Sequence, residues 1–254
     1  MKSLEEIREK IVNKDKIHLI LDYDNRITPY IRTSNSYFFS PTFKRIIENL
    51  ARKEFITVSI LTDKNIKNFK TEFPIDTTNV DLYGALGAEV EIQNNKENKA
   101  DDSLKKELKK IYNALSKTFA ENKKLILEYQ DWSIIINTKG LSKDDLKPVK
   151  KAVKDSLNKS KFKENLKLTE EENKLTLHIT DFELNSLLEK LISEYQDYSL
   201  IYIGKEETTF KFLKKKCDTI KVIHPGDSME SKADLVVFRS KFEEFLSDTN
   251  NLYL

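Results

Sequence analysis

Apolar runs that fit buried strands alternate along this chain with segments whose apolar positions recur every three to four residues. Ile17-His18-Leu19-Ile20-Leu21 is the first such run and predicts a strand buried on both faces. From Pro41 to Lys53, Phe43, Ile46, Ile47 and Leu50 fall on one helical face. Thr57-Val58-Ser59-Ile60-Leu61 is β-branched and apolar and ends in Thr62-Asp63. Strand, helix, strand in this order is a βαβ unit, which implies parallel pairing. A further short strand is expected at Val80 to Tyr83, before a Gly84-Ala85-Leu86-Gly87 turn.

The texture changes after Ala88. Residues 88 to 93 alternate like a half-buried strand, and a polar stretch from Asn94 to Asp102 leads into a helix with Leu104, Leu108, Ile111, Leu115 and Phe119 on one face. Leu125 to Asn137 reads as two strands around Gln130-Asp131, Asp144 to Asn158 as a helix, and Lys161 to Thr180 as a hairpin turning at Glu170 to Asn173. Parallel texture then returns: a helix over Phe182 to Glu194, a strand over Tyr198 to Gly204, a helix over Thr208 to Lys216, strands at Ile220 to Ile223 and Leu235 to Phe238, and a closing helix from Ser240 to Ser247. His224-Pro225-Gly226-Asp227 reads as a turn by composition. The expected architecture is α/β, with a discontinuous parallel-sheet core over 1–88 and 181–254 and an inserted α+β cap over 89–180. Such a cap can close over a site at the strand ends and exclude water.

Composition narrows the function classes. The 254 residues are 39% hydrophobic and 34% charged, and the basic and acidic side chains leave a formal charge of +2. That balance offers no field of one sign, so neither nucleic acid nor an anionic membrane is an expected partner. The single cysteine, Cys217, allows no internal disulfide and no multi-cysteine zinc site. Leu4, Ile7 and Ile11 lie at helical spacing among charges, without the apolar core of a signal peptide, and no stretch approaches a membrane span. A cytoplasmic protein is expected.

The chemistry concentrates where the first strand ends. Asp22 and Asp24 stand one residue apart, so in a strand they share a face, at the carboxyl end where open α/β sheets hold ligands. Two carboxylates there can divide the roles of nucleophile and general acid in phosphoryl transfer. They can equally cap the following turn or pair with Lys205. Thr62, at the end of the second strand, can bind an anion or cap a helix over Lys64 to Phe69. Trp132 can stack on a sugar ring or pack, His178 reads as a strand residue, and His18 faces the core or a neighbouring helix.

Leu21-Asp22-Tyr23-Asp24-Asn25-Arg26-Ile27-Thr28-Pro29 resembles the LDYDGTLTP opening of the trehalose-6-phosphate phosphatases, a family of the haloacid dehalogenase (HAD) superfamily. Tyr202-Ile203-Gly204-Lys205-Glu206-Glu207-Thr208 resembles that family's YIGDDxT segment, and Gly84-Ala85-Leu86-Gly87-Ala88-Glu89 its GNHGLE. The resemblance implies a HAD-like Rossmannoid core with a cap. It further implies an aspartyl-phosphate on Asp22, proton transfer by Asp24, a phosphate contact from Thr62, and Mg²⁺ held at Asp22 and Asp24.

The departures from the family pattern are local and chemical. Lys205 stands where the family has its third metal-binding Asp, and an ammonium group cannot ligate a cation. Glu206, one residue later, is the available substitute ligand. Asn25-Arg26 replaces Gly-Thr, Asp63-Lys64 replaces Gly-Arg, and Ile179-Thr180-Asp181-Phe182 lacks the expected phosphate-binding Lys. The family's sugar-reading residues fall near Gln130, Asn137 and Lys139, and its Glu-x-Arg-Pro falls on His178 to Asp181. These features imply a protein like the trehalose-6-phosphate phosphatases, hydrolysing sugar-phosphate monoesters through Asp22 with activity weakened or lost, and using Mg²⁺ if active and no cofactor otherwise. The alternative is a non-catalytic pseudophosphatase that binds a sugar phosphate, such as trehalose 6-phosphate, or a partner such as a trehalose-6-phosphate synthase.

Overall fold

In the computed structural model, strand β1 (Ile17–Asp22) is buried at every position. Burial on both faces requires layers above and below, and helices packed on the two faces of the sheet supply them. The structure describes residues 16–23, 30–33, 36–39, 41–99, 101–122, 124–171, 173–204, 206–217, 221–226, 231–238 and 241–251. The expected N-terminal helix around Leu4 to Ile11, and also Asp24 and Lys205, lie outside the described residues.

The chain forms two units, 1–97 with 184–254, and 98–183. In chain order the first contains β1, β2 (Tyr30–Thr33), β3 (Ser36–Phe39), α1 (Pro41–Ala51), β4 (Ile56–Leu61), α2 (Ile66–Glu72), β5 (Val80–Gly84), β6 (Glu89–Ile92) and β7 (Asn95–Asn98). The second contains α3 (Asp102–Thr118), β8 (Ile126–Gln130), β9 (Ser133–Asn137), α4 (Lys143–Lys159), β10 (Leu166–Glu171) and β11 (Lys174–Ile179). The chain then returns to the first unit with α5 (Leu184–Glu194), β12 (Ser199–Ile203), α6 (Glu207–Lys216), β13 (Lys221–Gly226), β14 (Leu235–Phe238) and α7 (Phe242–Asn251).

The main sheet has the order β14-β13-β12-β1-β4-β5-β6-β7. It is parallel from β14 to β5, and β6 joins antiparallel. Alternation along β1 sends Leu19, Leu21 and Tyr23 into a core shared with Phe43 and Ile47 of α1, Phe69 of α2 and Phe242 of α7. Ile20 goes to the other face, with Leu188 and Leu191 of α5 and Phe210 and Leu213 of α6. Each such side chain contributes roughly 1.5–3 kcal/mol when fully buried. The strand order reverses at β1, and that reversal opens a crevice at the carboxyl ends of the strands.

Several elements differ from what the residue pattern predicts. β6 and β7, beyond the texture change at Ala88, pair into the main sheet; the polar strand Asn95–Asn98 is an edge, where no apolar alternation is needed. The turn between them takes left-handed backbone at Gln93 (φ 50°) and Asn94 (φ 63°). β2 and β3 form a separate antiparallel pair over residues to which the residue pattern assigns no element. His224-Pro225-Gly226 is not a turn but the end of β13, paired with β14. Pairing of β13 with β12 stops at Ile223, so the N–H that Pro225 lacks removes no bond from that ladder.

The second unit is an antiparallel sheet of order β10-β11-β9-β8 with α3 and α4. Ile134 and Ile136 of β9 and Leu175, Leu177 and Ile179 of β11 are buried, as are Leu104, Leu108, Ile111 and Leu115 of α3. Trp132 is 3% exposed and packs against Phe182, with the Lys105 ammonium 4.1 Å from its ring centroid, so it is a core residue and not an open sugar platform. Asp101 caps α3, and Ser142 and Asp145 form a capping box on α4. Among the described residues, no helix is long and apolar enough to cross a membrane.

Candidate functional site

Four strand ends of the first unit lie side by side across the sheet, in the order Gly204 after β12, Asp22 at the end of β1, Thr62 after β4 and Gly84 at the end of β5. Backbone bonds fix them. Tyr23 N–H donates to Leu61 O (2.9 Å), Thr62 N–H to Tyr83 O (3.0 Å) and Gly204 N–H to Ile223 O (3.1 Å).

Asp22 is only 5% exposed although it is a carboxylate. Its Oδ2 accepts a 2.7 Å hydrogen bond from the Tyr202 hydroxyl. A buried carboxylate is tolerated when such donors satisfy it. Tyr23, the residue between the paired acids, points to the opposite face. Its ring meets Phe69 edge-on at 4.6 Å and stacks near Phe73 at 5.8 Å, which anchors the chain as it leaves β1.

Thr62 is fully buried, and its Oγ1 accepts from Lys64 N–H at 3.1 Å. It does not cap the following helix. That role belongs to Asn65, whose side chain accepts from Asn68 N–H at 2.7 Å, while the Glu89 carboxylate accepts from Ile66 N–H at 2.8 Å. Lys64 reaches Glu72 at 2.5 Å and lies 5.9 Å from the Tyr23 ring centroid.

The turn after β5 is unusual. Ala85 (φ 48°), Leu86 (φ 53°) and Gly87 (φ 96°) are all left-handed, a conformation that costs an Ala or Leu roughly 1–2 kcal/mol. Leu86 N–H to Thr62 O (3.0 Å) and Ala85 N–H to Lys64 O (2.8 Å) hold it beside Thr62. Gly84 is required there, because a Cβ would lie 2.7 Å from Ile66 Cγ1 and 3.1 Å from Lys64 O.

The expected metal ligands are only partly described. Asp22 is at the site, Glu206 is the residue preceding α6, where its side chain does not cap the helix, and Asp24 is outside the described residues. Among the described residues no three His, Cys, Asp or Glu side chains gather into a group that could hold a metal ion. Asp22 Oδ2 is engaged by a phenol. The described donors therefore do not make up a Mg²⁺ site.

The residues assigned to sugar reading are not brought together. Gln130 ends β8 opposite Ser133, whereas Asn137 ends β9 opposite Ile126, so roughly 13 Å of strand separates them. Asn137 Oδ1 accepts from Lys139 N–H at 3.0 Å, a local turn contact. His178 pairs across from Ser133 on the same face as Gln130, half-buried, and burial lowers its pKa. The residue missed from sequence was Tyr202; its spacing of two from Gly204 in a strand was the available signal.

No protein-family profile matches the sequence, and no curated protein matches it in sequence. Solved structures do match its fold. A trehalose-6-phosphate phosphatase related protein superposes with TM-score 0.70 at 15% identity, covering 93% of this chain and 98% of that one. The Aspergillus fumigatus trehalose-6-phosphate phosphatase gives 0.70 at 15% identity, covering 98% and 96%. The C-terminal domain of a Candida albicans trehalose synthase regulatory protein gives 0.68 at 13%, covering 96% and 98%. At such identities the likeness shows architecture alone: the chain shares the fold of the solved trehalose-6-phosphate phosphatases.

Proposed function

We propose that this protein is a sugar-phosphate monoester phosphatase of weakened turnover, acting through an aspartyl-phosphate on Asp22. The observation that carries the reading is Asp22 itself: a carboxylate buried to 5% exposure at the carboxyl end of the central parallel strand, with one oxygen held by a phenol. Burial of a charge at this position has a cost that a turn residue would not need to bear. In the proposed reaction an Asp22 oxygen attacks phosphorus in line as the bond to the sugar oxygen breaks. Asp24 supplies the proton to that oxygen, and Thr62 donates to a phosphate oxygen. Water then attacks phosphorus, Asp24 takes its proton, and phosphate leaves with Asp22 restored. When bound, Mg²⁺ would neutralise charge on the transferring group.

A second reading is a pseudophosphatase that binds a sugar phosphate or a trehalose-pathway protein without turnover. Lys205, in the sequence position where the resemblance calls for a metal-binding acid, favours it. The neighbour described as a trehalose synthase regulatory protein supports a protein partner, such as a trehalose-6-phosphate synthase. We place either form in the cytoplasm, in keeping with a single cysteine, Cys217, that allows no internal disulfide.

Phosphate release from trehalose 6-phosphate and a panel of sugar phosphates, with Mg²⁺ and with chelator, tests the two readings, with Asp22→Asn as blank. Release above the blank supports the hydrolase. Equal release in both, with trehalose 6-phosphate still bound in calorimetry, supports the pseudophosphatase.

A further inference from the structure

We propose that Tyr202 is the positioning residue of Asp22: its hydroxyl holds the carboxylate by Oδ2 and fixes the rotamer from which Asp22 acts. This rests on Asp22 being the acting carboxylate. An ionised carboxylate can only accept, so the phenol donates this 2.7 Å bond. The two residues come from strands that are neighbours in the sheet. Ile20 pairs with Tyr202, and Asp22 follows Ile20 on the same face, so the Tyr202 side chain must lean toward the strand ends to reach it.

That lean is built into the surroundings. Tyr202 is fully buried, with Phe210 edge-on at 6.3 Å. Its ring and hydroxyl pass over Gly204, where a Cβ would lie 2.6 Å from the oxygen and 2.7 Å from two ring carbons. The glycine is thus the space through which the phenol reaches the carboxylate. Packing fixes the ring, the ring fixes the hydroxyl, and the hydroxyl fixes Asp22. A carboxylate held in one rotamer needs no reorganisation before in-line attack.

Two variants separate the hydroxyl from the ring. Tyr202→Phe removes the donor and keeps the packing, whereas Gly204→Ala keeps the donor and displaces it. We measure kcat and KM for p-nitrophenyl phosphate and solve both crystal structures, with near-ultraviolet circular dichroism to confirm folding. The expected result is a kcat about tenfold to a hundredfold lower in both variants, the range for loss of a hydrogen bond to a charged group. KM should change less than about twofold, and Asp22 should leave its rotamer. Wild-type kcat in Tyr202→Phe with Asp22 unmoved overturns the proposal. A wild-type protein without turnover whose Asp22 still moves in Tyr202→Phe overturns the hydrolase reading and supports the positioning role. Without turnover and without movement, both are overturned.

Discussion

The His18 imidazole, fully buried in β1, places Nε2 2.8 Å from Ser59 Oγ on the neighbouring strand β4. Its ring centroid lies 3.9 Å from that of Tyr195, whose hydroxyl donates to Asp81 Oδ2 at 3.3 Å. His18, Asp81, Tyr83, Tyr195 and Glu194 are the titratable groups gathered on the α5 face of the sheet. Burial lowers the His18 pKa to about 3 and raises that of Asp81 to about 6.

These shifts act on stability with opposite sign. For His18, the unfolded chain binds a proton below 6.5 and the folded protein only near 3, so its contribution is present above 6.5 and lost as pH falls toward 3. For Asp81, the folded protein binds the extra proton between 3.8 and about 6, so that contribution is present below 3.8 and lost as pH rises to about 6. Between about pH 4 and 6 the two oppose each other. Urea unfolding of wild type and His18→Leu at pH 4, 5 and 6 isolates the first term, since other groups cancel in the difference. The wild type should lose stability relative to the variant by up to about 1.4 kcal/mol per pH unit on acidification. A constant difference would show that His18 does not stay neutral in the fold.

The left-handed turn beside Thr62 predicts a stabilising change. Ala85 holds φ at 48°, where glycine has no Cβ to strain. Ala85→Gly should raise stability by about 0.5–1 kcal/mol, the strain relieved less the greater freedom of glycine in the unfolded chain. Gly84→Ala should do the reverse, because its Cβ meets the Ile66 and Lys64 backbone. Thermal melts of the two variants that shift in the same direction would contradict this account.

Trp132 is the only tryptophan, so its fluorescence reports one site. At 3% exposure under Lys105 and Phe182, it should emit at short wavelength and resist acrylamide quenching. Trehalose or trehalose 6-phosphate should leave the spectrum unchanged if the ring is core. Quenching by sugar with saturation would return Trp132 to the list of ligand contacts.

What could be read from the residues follows from how strongly packing constrains them. β1 announced itself because a central parallel strand must be apolar on both faces, and α3 because its leucines repeat at helical spacing. β7 and the β2–β3 pair were hidden because short or edge strands tolerate mixed polarity. Asp22 and Thr62 were legible as polar groups at strand ends. The Tyr202 contact was not, because it joins residues far apart in sequence whose register only the folded sheet defines. Ala85 and Leu86 concealed a left-handed turn, since neither residue type favours it.

Lys205 carries the last prediction. Its ammonium stands in sequence where the resemblance calls for a metal-binding Asp. Replacing a cation by a carboxylate both removes repulsion toward Mg²⁺ and adds a hard oxygen ligand. Lys205→Asp should therefore raise Mg²⁺-dependent phosphate release at least about tenfold over wild type, corresponding to about 1.4 kcal/mol of transition-state stabilisation. Chelator should abolish the gain, and so should Asp22→Asn in the same background. If Lys205→Asp instead lowers a wild-type turnover that is insensitive to chelator, the ammonium group itself is working in the site, as a fixed charge opposite the phosphoryl oxygens.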